Sequence, residues 1–98
     1  MTALETDCIP QKFPDRYVET AIDDEVVVMR LSDGDMYSLE GTARDIWNSV
    51  DGQRSIARIA ADLAKRHDHD PAQVTADVQV FVAELGAAGL LGTDAREA

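Results

Sequence analysis

The stretch Asp33-Gly34-Asp35-Met36-Tyr37-Ser38-Leu39-Glu40-Gly41-Thr42-Ala43-Arg44-Asp45-Ile46-Trp47 decides the fold, because the hydrophobic period changes inside it. Asp33-Gly34 stands between two strand-like runs, and glycine tolerates the positive φ that a tight hairpin turn demands. Over residues 36–39 the side chains alternate, so Met36 and Ser38 share one face and Tyr37 and Leu39 the other. Thr42-Ala43-Arg44-Asp45 then fits a capping box, with the Thr42 hydroxyl on backbone N–H groups and Asp45 reaching back. Ala43, Ile46, Trp47 and Val50 repeat at helical spacing. A returning hairpin strand thus leads directly into a capped helix.

Working outward, residues 17–22 read as a strand, Asp23-Asp24 as a turn and residues 25–31 as a valine-rich strand. Val26, Val27, Val28 and Met29 are apolar on both faces, which predicts a central strand covered on both sides. Three strands in meander order leave the last one, 36–39, with an open edge. Residues 1–16 carry Pro10 and Pro14 without a period and read as a flexible arm. Downstream, Asp51-Gly52 ends the first helix. Ser55 caps a second, with Ile56, Ile59, Ala60 and Leu63 as its apolar face. Asp70-Pro71-Ala72-Gln73 opens a third: Asp70 caps, Pro71 loses no useful N–H, and Gln73 completes the box. Its core stripe is Val74, Val78, Phe81 and Leu85. Gly86 and Gly89 are stop signals, Leu90-Leu91 folds back onto the core, and residues 92–98 form a tail. The expectation is an α+β domain over 17–91, a three-stranded antiparallel sheet followed by three helices.

A chain of 98 residues supports one modest core, and 45% hydrophobic with 29% charged residues is a soluble, globular balance. The longest apolar run, 26–29, is far short of the ~20 residues a membrane span needs, so no membrane partner is expected. No basic stretch precedes an apolar one at the start, and Cys8 alone cannot form an internal disulfide; both point to the cytoplasm. The net charge is −10, and the first 40 residues hold ten acids against three bases. Such a surface repels phosphates, so no nucleic-acid partner is expected.

The residues offer little chemistry. His67-Asp68-His69-Asp70 is the one cluster resembling a metal site, but a tight site needs three or four converging groups and Asp70 already has a capping task. Cys8 lies on the arm, remote in sequence from any histidine that would activate it. Neither catalysis, nor a metal, nor a cofactor is expected. The third helix is more informative. At 100° per residue Val80 falls well off the core stripe, among Gln73, Asp77 and Glu84. An apolar floor with an acidic wall suits a groove. Should that side face the strand 36–39, the two make a trough for an extended peptide, because an open strand edge pairs with any backbone.

The pattern Tyr37-x-Leu39-x-x-Thr42-Ala43-x-x-Ile46-Trp47, then Asp51-Gly52, Ile59, Leu63, Asp77-Val78, Phe81, Leu85 and Gly89-Leu90-Leu91, resembles the PqqD-like family over residues 17–91. These are the peptide-recognition domains of pathways that modify ribosomally made peptides. The resemblance implies a winged-helix-like fold in which a precursor's leader peptide adds as a strand to the third strand and lies against the third helix. It carries over Asp35, Met36, Tyr37, Ser38 and Leu39 from the strand, and Asp77, Val80, Phe81 and Glu84 from the helix. It implies a non-catalytic adaptor serving a leader peptidase, a ring-closing cyclase or a radical-SAM tailoring enzyme. The segment 33–39 is most similar to the stand-alone recognition proteins of lasso-peptide clusters.

The alternative is a winged-helix DNA-binding regulator. It predicts a basic recognition helix, whereas residues 71–85 hold Asp77 and Glu84 with no lysine or arginine. The second helix is more basic, with Arg58, Lys65 and Arg66.

Overall fold

The computed structural model describes residues 4–97. Five strands and three helices follow in the order β1 (Gln11–Lys12), β2 (Tyr17–Ile22), β3 (Glu25–Arg30), β4 (Met36–Leu39), α1 (Thr42–Ser49), α2 (Ile56–His67), α3 (Pro71–Ala87) and β5 (Leu91–Gly92). A single 3₁₀ turn, Pro14–Arg16, links β1 to β2. The protein is α+β, with β2-β3-β4 as an antiparallel meander and β1 paired to β5 in a separate ribbon. The strands and helices expected from the sequence are all present, and the meander order is as expected.

The central β3 is covered on one face only, a correction to the reading from its valine run. Val26 and Val28 are buried against the helices, whereas Val27 and Met29 are half-buried on the outer face. Their cross-strand neighbours on that face, Val18, Thr20, Met36 and Ser38, are exposed. The reason is that all three helices pack on the same side of the sheet, where Ile46, Trp47, Ile59, Val78, Val82 and Leu90 form the core.

The caps of α2 and α3 follow the sequence. Ser55 accepts a hydrogen bond from the Arg58 amide, and Asp70 accepts one from Ala72 with Pro71 at the first helical position. Gln73 does not complete a box; its amide donates to Asp77 one turn on, at 3.1 Å. The start of α1 differs more. Its N-cap is Gly41, at φ 56° and ψ −126°, and Thr42 is already helical with no side-chain cap. Only glycine adopts that backbone without strain. The chain must turn sharply there to pass from β4 into the helix layer, and that geometry overrides the hydroxyl cap.

The largest departure is at the ends. The expected arm is docked from residue 4 onwards, and the expected tail is paired up to residue 97. Its physical basis is the N-terminus of α2, whose first amides have no partner within the helix. The Ile56 and Ala57 amides donate to the carbonyls of Cys8 and Thr6, at 2.8 and 2.9 Å. Cys8 is fully buried, and burial raises its thiol pKa. Across from it, Ile9 donates to Ala95 and Glu97 donates to Asp7. Lys12 lies over the Trp47 ring at 4.3 Å, and Trp47 in turn donates its indole N–H to Glu19 at 3.0 Å. Desolvation in that stack lowers the Lys12 pKa.

Candidate functional site

The hairpin fixes which side of β4 is open. The Arg30 amide donates to the Asp35 carbonyl at 2.8 Å, so in this register Tyr37 and Leu39 direct their peptide groups at β3. The peptide groups of Met36 and Ser38 therefore point to the other side, away from β3. On the far side of β3 the bond from Leu31 to Arg16 sets the complementary phase toward β2. Among the described residues, β4 thus ends the sheet, with unpaired donors and acceptors at Met36 and Ser38.

Side chains divide as the alternation predicts. Leu39 is buried and Tyr37 half-buried on the helix side, while Met36 is 67% exposed on the outer face. The Ser38 hydroxyl donates to Glu25. That bond lowers the Glu25 pKa, while the adjacent Glu25 carboxylate raises that of Glu40. Asp35 sits in the turn before the strand, with its carboxylate 3.0 Å from Arg30.

The four residues singled out on α3 all line one cavity of about 360 Å³. Phe81 is 8% exposed and forms its floor, Val80 is 57% exposed at its lip, and Asp77 and Glu84 flank them. The opposite wall is the start of α1, through Thr42, Ala43 and Ile46, rather than β4 itself. The structure therefore brings the helix set together with α1, and joins the strand set to it through the two residues Glu40 and Gly41. Thr42, Ala43 and Ile46 lie outside the set of site residues that the sequence marks. Their signal was present as a cap and an i, i+3 apolar pair, both of which read equally well as helix structure. A second cavity of about 470 Å³ continues past Thr42 and Asp77 toward His67 and His69. There His67 Nε2 lies 3.2 Å from Asp45, and Asp68 ends α2 in the left-handed region at φ 54°. Among the described residues, no three histidine, cysteine or acidic side chains converge as a metal-binding group.

The C-terminal end of α3 is held by arginine as well as by a backbone cap. α3 has no basic residue in its last turn; the Ala88, Gly89 and Leu90 amides donate to Glu84, Gly86 and Leu85, with Gly89 at φ 81°. Arg16 donates to Gly89 at 3.1 Å and Arg30 donates to Ala88 at 2.9 Å, both from the sheet side. Arg30 also donates from Nε and Nη2 to Asp33, from Nη2 to Asp35, and lies 5.8 Å from the Tyr37 ring centroid. The fork holds the Asp33 pKa down at about 2, assisted by the Asp35 amide, and raises that of Arg30.

No helix among the described residues is long and apolar enough to cross a membrane. No curated protein matches the chain. Two solved structures do. The protein TbiB1, in complex with the TbiA(beta) leader peptide, is 27% identical with a TM-score of 0.75, over 87% of this chain and 99% of that one. The PqqD truncation of Methylobacterium extorquens PqqCD is described as a functional, stand-alone recognition element for ribosomally synthesised and post-translationally modified peptides. It is 24% identical with a TM-score of 0.73, over 93% of this chain and 96% of that one, and supports the shared fold. The sequence profile of Coenzyme PQQ synthesis protein D (PqqD) matches residues 25–91, a span that runs from β3 through the open strand, the cavity and the first residue of β5, and the chain therefore belongs to the PqqD family.

Proposed function

We propose that this protein binds the leader segment of a ribosomally made precursor peptide by strand addition to β4, and that it does so as a non-catalytic, cytoplasmic adaptor. The observation that carries the proposal is the open edge at Met36 and Ser38 beside a cavity floored by Phe81 and edged by Val80. An added strand gains main-chain hydrogen bonds whatever its sequence, and the cavity supplies side-chain choice. The bound leader is named in the similar structure of TbiB1, which supports the same ligand class for this family member. The site residues are Asp35, Met36, Tyr37, Ser38 and Leu39 on the strand, and Asp77, Val80, Phe81 and Glu84 on α3.

The adaptor's effect is one of concentration. Holding a precursor beside a separate enzyme makes the second encounter effectively intramolecular. The enzyme served is a leader peptidase with a ring-closing cyclase, as in lasso-peptide assembly, or another tailoring enzyme such as a radical-SAM protein. A peptide of about ten residues buries an area at the low end of specific interfaces, and ordering it costs free energy. A Kd of ~10⁻⁶ to 10⁻⁷ M follows, or about −8 to −10 kcal/mol.

The test is an NMR titration of the ¹⁵N-labelled protein with the synthetic TbiA(beta) leader and with the leader of any short precursor found beside its gene. Shifts concentrated in residues 35–39 and on the Asp77–Val80–Glu84 side of α3 are expected. Shifts confined to α2, or produced by duplex DNA instead, overturn the proposal.

A further inference from the structure

Groove geometry depends on how far α3 stands from the start of the open strand. α3 ends in a local glycine cap, with Gly89 at φ 81° and the Gly89 and Leu90 amides donating to the Gly86 and Leu85 carbonyls. That cap fixes the helix end but not its distance from the sheet. Arg30 ties the Ala88 carbonyl at that end to β3, 58 residues away in sequence. The same guanidinium grips the turn before β4. Nε and Nη2 hold the Asp33 carboxylate, Nη2 reaches Asp35 at 3.0 Å, and Nη1 reaches the Ala88 carbonyl at 2.9 Å.

Both anchors adjoin the groove. Asp35 immediately precedes Met36, where the open edge begins. The Ala88 amide donates to Glu84 at 3.1 Å, one turn from the last acid of the cavity. The planar guanidinium thus ties the turn before β4 to the C-terminal end of α3, with Tyr37 alongside it. A flat, five-donor fork fixes both the distance and the angle between its partners, which a single ammonium point charge does not.

We propose that Arg30 is a positioning residue for peptide binding, setting the spacing between the start of the β4 edge and the last turn of α3. This rests on the leader-binding reading above. Arg30 itself forms no part of the peptide's backbone ladder, since its own amide is spent on Asp35. Its effect is to hold the start of the β4 edge and the last turn of α3 at a fixed separation for the incoming strand.

The molecule supplies a matched control. Arg54 makes the same kind of contact elsewhere, donating to Asp51 at 3.0 Å, to Asp62 at 2.8 Å and to the Ser49 carbonyl at the end of α1 at 2.8 Å. Losing it removes a comparable fork without touching the groove. The experiment is calorimetric titration of wild type, Arg30→Met, Arg30→Lys and Arg54→Met with two synthetic probes, the TbiA(beta) leader and the leader of any short precursor found beside the gene. Arg30→Met is expected to weaken binding on the order of tenfold and Arg30→Lys about threefold, with Arg54→Met within about twofold of wild type. In the amide spectra of the Arg30 variants, peptide-induced shifts should persist at Ser38 and vanish at Glu84 and Ala88. If Arg30→Met does not fold, Arg30→Lys carries the test alone.

Wild-type affinity in the Arg30 variants overturns the proposal, and so does an equal loss in Arg54→Met, which would mark a general effect of stability. Failure of both probes to bind the wild type strikes the leader-binding reading itself, a result separable from either of those.

Discussion

α2 and α3 lie side by side, yet their outer surfaces are built on different rules. α2 buries Ile56, Ile59, Ala60, Leu63 and Ala64, and turns Arg58, Asp62, Lys65 and Arg66 to solvent. That is a finished amphipathic helix, apolar inward and charged outward. α3 buries Val74, Val78, Phe81, Val82 and Leu85, but it also exposes Val80 beside a cavity and carries no base at all. A helix apolar on more than one side is ordinarily buried on more than one side. α3 is not, so its second apolar side is a surface waiting for cover; it faces the start of α1, which Glu40 and Gly41 join to the open edge of β4. The difference teaches that the binding side of this domain is marked by incomplete packing rather than by reactive groups.

The sharpest way to break the contrast is at the strand. Ser38→Pro removes an edge donor while sparing the ladder to β3, which uses Tyr37 and Leu39. Leader binding measured by calorimetry should weaken on the order of 100-fold, because a proline ring also blocks the partner carbonyl. The amide spectrum away from residues 36–40 should stay unchanged. Next, Val80→Glu should reduce affinity about tenfold while altering stability by no more than about 0.5 kcal/mol, since the side chain is exposed. The corresponding change on the finished helix, Arg58→Glu, should leave affinity as it is; a loss there would erase the distinction between the two helices.

Smaller effects sharpen the support side. Ser55→Ala should destabilise the fold by about 1 kcal/mol in urea denaturation, through the lost cap of α2, and leave the Kd of the folded protein unaltered. The smallest concerns pH. Asp33 titrates near about 2 in the folded protein because of Arg30, below its ordinary value of 3.8. A depressed carboxyl stabilises the fold fully above its ordinary range, and that contribution is lost as pH falls toward the folded value. Side-chain carboxyl shifts followed by NMR should show a midpoint near about 2 in wild type. In Arg30→Met the midpoint should return toward the ordinary value.

Most of the fold was legible because its elements announce themselves locally. Asp33-Gly34 gave the hairpin, Ser55 and Asp70-Pro71 gave two helix starts, and the stripes of α2 and α3 gave their buried faces. The terminal ribbon was not legible, because two-residue strands have no period and their reason for docking, the bare amides of Ile56 and Ala57, lies some fifty residues away. The cap of α1 falls on Gly41 instead of Thr42 for a related reason: the Gly41 backbone angle is imposed by the turn between layers, which a local motif does not contain. Among the proposed site residues, the α3 set was visible from Val80's displacement off the stripe. The α1 wall was not, since Ala43 and Ile46 look the same in a core as in a cleft.

The pairing of the chain's ends has a further consequence for how the domain can be tethered. Glu97 donates to Asp7 at 2.8 Å, and Gln79, about 100° round α3 from Val80, donates to the Leu4 carbonyl at 2.6 Å. Residues 4–7 and 97 therefore lie close together, on a different side of α3 from the one that lines the cavity. A covalent linker grafted at either end leaves the open strand unobstructed, so the same fold can be strung onto a second protein from either direction without a change of binding mode. Joining residue 97 back to residue 4 by a short loop should likewise give a circular permutant whose groove works as before.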